Sequence, residues 1–282
     1  MKKLAVHLHI YYQNQMKEVW QYMQNLDALD YDLYITVSEK AVSMLNEIKR
    51  IYPLAKVWQV ENRGYDIGPF IDFLHHIRLE DYEYILKLHT KGKKSKNYTW
   101  LNNHRLDNAL WGKVLWDSML KNKERIQKNL NIMDKRQKIG MLGSKYCLTS
   151  AKQDYVKLLS QINIEMQKLK QNSVTDISFI AGSMFLVKAK LLKPLKTYQQ
   201  GDFNLTDGEI KEGTLAHIVE RLFGALVTEQ GYKIKTIKHD NYGLYFLFSN
   251  IKRFLFQQKV TNSGKMLIKV CKLPIYSKPI RG

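Results

Sequence analysis

Over residues 4–11 apolar residues alternate with His7 and His9, which is the period of a strand. Residues 15–29 then place Met16, Val19, Trp20, Met23 and Leu26 on one helical face. A second strand is predicted over 31–38 (Tyr31 to Ser38), rich in β-branched and aromatic residues. Ser38 is placed to cap a helix over 39–51, where Glu39 and Glu47 flank an apolar stripe, and Pro53 ends it. Residues 56–60 predict a third strand, 68–78 a helix and 83–88 a fourth strand. Strand and helix alternating in this way predict an α/β fold, a mostly parallel central sheet with helices on both faces. With right-handed crossovers, the first ninety residues form a Rossmann-like half. A Gly-x-Gly-x-x-Gly fingerprint is absent after the first strand, which argues against a dehydrogenase.

Downstream, residues 97–135 are predicted helical and carry Trp100, Trp111 and Trp116. A short strand over 139–142 and a helix over 152–171 follow. Residues 176–187 predict one strand with Gly182-Ser183 inside it, a mark of a bulge or of close backbone approach. A helix over 212–230 and a strand over 233–237 complete the pattern. Beyond 243 the chain changes character: Tyr245 to Phe248 and Phe254 to Phe256 are interleaved with Lys252, Arg253 and Lys259, with no acid. This divides the chain into one large domain over 1–242 and a basic, aromatic tail over 243–282.

The 282 residues are 45% hydrophobic and 25% charged, enough for a real core and against global disorder. The net charge of +19 points to a polyanionic partner: nucleic acid, an anionic membrane surface or a phosphorylated ligand. Cys147 and Cys271 fit no metal spacing and are expected to be reduced thiols. His7, His9, Gln13 and Asn14 break the apolar run that a signal peptide requires. No stretch approaches the ~18 to 20 apolar residues that span a bilayer. The expectation is therefore a cytoplasmic protein, with the inner face of the membrane as its docking surface.

Two consecutive strands end in loops dense with glycine, polar and cationic residues. In open α/β sheets ligands sit beyond the carboxyl ends of the strands, so these loops are expected to be two walls of one anion site. In the first, Asn62-Arg63-Gly64-Tyr65-Asp66-Ile67-Gly68, two glycines let the backbone approach a ligand. Arg63 offers a planar fork to phosphate, while Asn62 and Asp66 can bond a base or ribose. The alternative is a tight turn whose polar groups satisfy its own backbone. In the second, Lys87-Leu88-His89-Thr90-Lys91-Gly92-Lys93-Lys94, the charge suits a diphosphate, against the alternative of a solvated lysine loop. A third constellation joins Glu212 to His217, Glu220 and Arg221. Glu220 is either the ion-pair partner of Arg221 or a general base, with Asp207, Glu209 and Glu212 as rival bases. His9, at a strand end, can line the site. His7 is expected to be buried, and His75-His76 points two ways from one helix and offers no shared metal site.

The runs His9-Ile10-Tyr11-Tyr12, Tyr31 to Val37, Glu61 to Phe70, Ile85 to Lys91, Gly213-Thr214 and Glu220-Arg221-Leu222-Phe223 together resemble the rhamnan synthesis protein F family of bacterial polysaccharide clusters. The resemblance covers about residues 4 to 240. It implies a GT-A-like glycosyltransferase, with 1–96 binding the nucleotide sugar and 97–242 the acceptor. The implied activity is a rhamnosyltransferase taking dTDP-L-rhamnose to a lipid-linked glycan by inverting single displacement. Relatives of that fold place an Asp-x-Asp metal motif after the fourth strand, where this chain has Leu88-His89-Thr90-Lys91. No metal ligand and no cofactor is therefore expected, although a divalent ion stays open. In that frame Glu220 or Glu212 acts as base, and His89 and Lys91 stabilise the leaving diphosphate. His9, Tyr12, Asn62, Arg63, Gly64, Asp66, Gly68, Thr90 and Arg221 bind substrate. Two other classes remain open: a non-catalytic scaffold of a polysaccharide complex, and a nucleic-acid-binding protein. The second lacks any recognisable module, so nucleic acid is not an expected partner.

Overall fold

The computed structural model describes residues 2–92, 98–101, 104–150, 156–206, 213–237, 242, 256–260, 265–270 and 273–279. Strands β1 (Lys2–Ile10), β2 (Tyr31–Ser38), β3 (Lys56–Val60) and β4 (Tyr82–His89) alternate with helices α1 (Met16–Met23), α2 (Leu45–Ile51) and α3 (Ile67–His75). A hairpin of β5 (Tyr98–Leu101) and β6 (His104–Asp107) leads into α4 (Asn108–Leu120) and α5 (Lys123–Lys135). Then come β7 (Ile139–Ser144), β8 (Leu148–Ser150), α6 (Val156–Lys168), β9 (Ser178–Ile180), β10 (Phe185–Lys188), α7 (Leu215–Glu229) and β11 (Lys233–Ile237). Finally β12 (Phe256–Val260), β13 (Lys265–Val270) and β14 (Leu273–Pro279) form an antiparallel sheet of their own.

The central sheet has seven strands in the order β11-β7-β10-β4-β1-β2-β3. β10 runs antiparallel to β7 and β4, and every other pairing is parallel. Strands buried on both faces read as near-continuous apolar runs. Leu4, Ala5, Val6, Leu8 and Ile10 of β1 and Ile85, Leu86 and Leu88 of β4 are accordingly all buried. Helices α3 and α7 pack together in one layer, while α1 and α5 pack against α4 in another. Phe70 and Phe223 join α3 to α7, with ring centroids 5.5 Å apart.

Three expectations are corrected. Residues 98–107 form a hairpin and not the start of a helix, in keeping with the strand-forming Tyr98-Thr99-Trp100-Leu101. The predicted strand over 176–187 is broken in two: Gly182 at φ +84° and Ser183 at φ +47° are left-handed, a conformation that cannot continue a strand. Ser38 makes no side-chain cap bond, and the helix after it begins as a 3-10 segment, Glu39–Met44. Within the basic, aromatic segment beyond 243 lie β12 to β14.

Candidate active site at the carboxyl ends of β1 and β4

Parallel register aligns chemistry across the sheet. His7 of β1 lies beside Lys87 of β4, and His9 lies beside His89. On the outer side Thr36 of β2 pairs with His9, and its hydroxyl oxygen lies 2.9 Å from His7 Nε2 and 3.0 Å from His9 Nδ1. Burial holds both histidines neutral: His7 falls well below its ordinary value, and His9 falls to about 3. His7 also stacks on Phe73, at 4.6 Å between centroids, so it is a core residue. His9 is buried as well, so its ring is not at the surface of the site.

Lys87 is fully buried within an apolar strand, and such a charge persists only when paired. Its ammonium forms an ion pair with Asp66 and donates to Ser183 Oγ at 2.9 Å. It also lies 5.3 Å from the Phe70 ring centroid. Ser183 Oγ donates in turn to Asp66 Oδ2. Burial works against an ionised Asp66, but His89 and Lys87 hold its carboxylate well below the usual range. Burial lowers Lys87, and the Asp66 charge opposes that shift.

His89 Nε2 lies 2.8 Å from the Gly182 carbonyl oxygen and 3.7 Å from Asp66 Oδ2, while Nδ1 is 2.9 Å from the Thr90 carbonyl. Burial pushes its pKa down. Thr90 is buried, and its hydroxyl oxygen accepts from the backbone N–H groups of Tyr11 and Tyr12, at 2.9 and 3.0 Å. It therefore fastens the end of β1 to the loop after β4. Tyr12 itself is 39% exposed at the mouth.

Lys91 is half-buried. Its backbone is clamped by Gln15, whose side-chain oxygen accepts from Lys91 N at 3.1 Å and whose amide donates to the Lys91 carbonyl. Its ammonium sits 3.7 Å from the centroid of the Trp111 ring. Glu220, on α7, accepts from Gly182 N at 2.8 Å and from Arg221 Nη1 at 2.8 Å. Burial raises its pKa, opposed first by Arg221 and then by the Gly182 N–H, with Asp66 and Lys91 also felt. Arg221 donates to the His217 carbonyl at 2.8 Å and lies over the Phe179 ring. Glu212, with Asp207 and Glu209, falls outside the described residues.

Of the glycine turn, Asp66 is the member that reaches this cluster. The others engage the segment 203–206. Asn62 Nδ2 donates to the Thr206 carbonyl at 2.8 Å, Arg63 Nη1 to the Phe203 carbonyl at 3.1 Å, and Gly64 N to the Asn204 carbonyl at 3.0 Å. Arg63 Nε pairs with Glu61. Gly64 is left-handed, at φ +65°, and a Cβ there would lie 2.8 Å from Phe203. A Cβ at Gly68 would overlap the Arg63 carbonyl oxygen. Both glycines thus have a packing reason of their own. Ser183, Gln15 and Trp111 were not among the expected site residues, and Lys87, read as part of the diphosphate loop, is instead the buried partner of Asp66. For Lys87 the signal was present: a lysine two residues before His89, on the same strand face, inside an apolar run.

A divalent ion of the Asp-x-Asp type needs several free oxygen ligands. Asp66 is committed to an ammonium and a hydroxyl, and Glu220 to a guanidinium and a backbone N–H. Among the described residues no group of three or more His, Cys, Asp or Glu could hold a metal. This donor set does not fit the ion. A separate groove of about 650 Å³ opens at the other end of the sheet, beside Tyr84, Asp134 and Lys188. There Tyr84 donates to Asp134 at 2.8 Å and Lys188 to Gln137 at 3.1 Å.

A family model described as rhamnan synthesis protein F matches residues 1–232. An uncharacterized protein, WxcX, of Xanthomonas campestris pv. campestris strain B100 is 26% identical over 245 residues, which is 83% of this chain and 32% of that protein. WxcX of strain ATCC 33913 matches to the same extent. The chain thus spans about a third of the length of the curated relatives it matches. Among solved structures, S. aureus TarS 1–349 aligns with a TM-score of 0.44 at 10% identity, over 83% of this chain and 58% of that one. Glucosyl-3-phosphoglycerate synthase from Mycobacterium tuberculosis, in complex with Mn²⁺ and UDP, aligns with a TM-score of 0.33 at 10% identity, over 99% and 90%. Likeness of that order adds nothing to the fold already read from the strand order.

Proposed function

The chain belongs to the rhamnan synthesis protein F family, and from that premise we propose that it is a nucleotide-sugar glycosyltransferase with its site at the carboxyl ends of β1 and β4. The observation that carries the reading is that a carboxylate fixed by Gly182 N–H, Glu220, and a half-buried cation over Trp111, Lys91, stand at that same end of the sheet. The donor is dTDP-L-rhamnose and the acceptor a lipid-linked glycan. Glu220 takes the proton from an acceptor hydroxyl, with Glu212 as the rival base. The acceptor oxygen then bonds to the anomeric carbon from the face opposite the diphosphate. The bond from that carbon to the diphosphate oxygen breaks, its electron pair leaves with the dTDP, and configuration inverts. Lys91 meets the growing negative charge, the work a metal ion does elsewhere. His89 acts behind it, holding the Gly182 carbonyl. Tyr12, Arg221, His9, Thr90 and Asp66 belong to the donor site in this reading, and Asn62, Arg63, Gly64 and Gly68 serve it through the turn that carries Asp66. The basic tail rests on the anionic inner leaflet, where each lysine near the surface contributes about 1 kcal/mol.

The test is transfer of label from radiolabelled dTDP-L-rhamnose into the lipid fraction of bacterial membranes. Wild-type protein transfers it, with or without EDTA, and Glu220→Gln is slower by about 10²- to 10⁴-fold. Wild-type transfer by Glu220→Gln, or activity lost in EDTA and restored by Mn²⁺, contradicts these roles.

A further inference from the structure

Glu220 owes its orientation to a turn that costs the backbone something. Ser183 is a non-glycine residue at φ +47°, and such a residue persists there only when its surroundings hold it. The hold is visible. Ser183 Oγ accepts from the buried Lys87 ammonium at 2.9 Å and donates to Asp66, and Ser183 N bonds the Ile180 carbonyl at 3.0 Å. The peptides on either side of Gly182 are each held by a side chain. The Gly182 N–H points to Glu220 Oε1 at 2.8 Å, and the Gly182 carbonyl lies 2.8 Å from His89 Nε2. A side chain at Gly182 has no room, since a Cβ would lie 2.7 Å from both Leu115 and Trp111. Asp66 stands at the N-cap position of α3 but makes no cap bond there, because its carboxylate is spent on this turn. An apolar strand would not carry a buried ammonium for packing alone.

We propose that Ser183, held by Lys87 and Asp66, is a positioning residue that sets the Gly182 turn and through its N–H fixes the Glu220 carboxylate for proton abstraction. This rests on the reading of Glu220 as the base. Besides Gly182 N–H, Glu220 faces Arg221 from its own helix, Asp66 from the start of α3, Lys87 from β4, Lys91 from the loop after it, and Cys147. Of these, Ser183 touches Asp66 and Lys87 through its hydroxyl, and it adjoins the Gly182 N–H that bonds Glu220 directly. A hydrogen bond to the charged form favours it, so losing that bond moves the carboxyl further up.

The experiment uses full-length protein labelled with ¹³C at glutamate side-chain carboxyls and titrated by NMR, the Glu220 signal being identified by its loss in Glu220→Gln. Ser183→Gly suits the left-handed φ and removes the Cβ together with the hydroxyl. It is expected to lower the thermal midpoint while leaving the protein folded, and to raise the Glu220 titration midpoint by about one pH unit. The acid limb of the rate profile for release of dTDP from dTDP-L-rhamnose moves with it. Ser183→Ala, which keeps the Cβ, gives the same shift if the glycine variant folds poorly. An unmoved Glu220 midpoint in a folded variant overturns the proposal, as does lost activity with the midpoint unchanged, which would make Ser183 merely structural. Full transfer by Glu220→Gln would defeat the underlying reading instead, and would do so whether or not Ser183→Gly shifts the titration.

Discussion

At the scale of the residue, the decisive group is Lys87. An ammonium with no exposure inside a strand is stable only while Asp66 and Ser183 face it. Lys87→Ala leaves the Asp66 carboxylate without its cation and is expected to cost about 3–5 kcal/mol in urea unfolding. The paired Asp66→Asn, Lys87→Met variant removes both charges together and is expected to cost much less. The pair also sets an acid limit. Asp66 has a folded pKa depressed below its unfolded value of about 3.9. Its contribution is therefore present above that pH and is lost as pH falls toward the folded value. Below about pH 4 wild type is expected to lose stability more steeply than the paired variant, measured by urea midpoints at stepped pH.

At the scale of the element, the glycine turn before α3 is held as much by the protein as by any ligand. Gly68→Ala forces a Cβ onto the Arg63 carbonyl oxygen. It is expected to cost about 1–3 kcal/mol, read as a lowered thermal midpoint. Gly231→Ala, where no atom lies within 4 Å, pays only for its left-handed φ of +78°. Which parts of the fold could be read from the chain follows from local physics. β2, β3 and β11 lie where periodicity and β-propensity put them, because nothing in those runs competes with an extended backbone. The β5–β6 hairpin was hidden because Trp100 and Leu101 fit a helix stripe as well as a strand. The break at Gly182-Ser183 was seen as an irregularity, but its meaning depends on Lys87 and Glu220, which lie far off in sequence. The candidate site was legible in the same measure. The Lys87 to Lys91 segment and Glu220 could be picked out, since charge at a strand end or on an apolar helix face is anomalous. The commitment of Asn62 and Arg63 to residues 203–206 could not, being a contact made by the fold.

At the scale of the whole molecule, charge and architecture divide the labour. At the site Lys87 is ion-paired with Asp66 and Arg221 with Glu220, so these pairs add nothing to the net charge of +19. No helix among the described residues is long and apolar enough to cross a membrane. The acid-free segment 243–282 is the part assigned to the lipid surface. Its removal is expected to abolish co-sedimentation with phosphatidylserine vesicles at low salt while dTDP release in solution continues. Retained co-sedimentation would place membrane binding on the main domain. The truncation should keep Tyr242, whose hydroxyl donates to Asp117 at 2.6 Å and ties that point of the chain to α4.

The central claim, a nucleotide sugar held beside Lys91 at the carboxyl ends of β1 and β4, is tested most directly by thermal unfolding with added dTDP-L-rhamnose. A ligand that binds only the folded state contributes about 2.7 kcal/mol at a hundred times its Kd. The account predicts a rise in midpoint for wild type, and a much smaller rise for Lys91→Ala at the same concentration. An unchanged wild-type midpoint across dTDP-, UDP- and GDP-sugars, or an equal rise in Lys91→Ala, would contradict it.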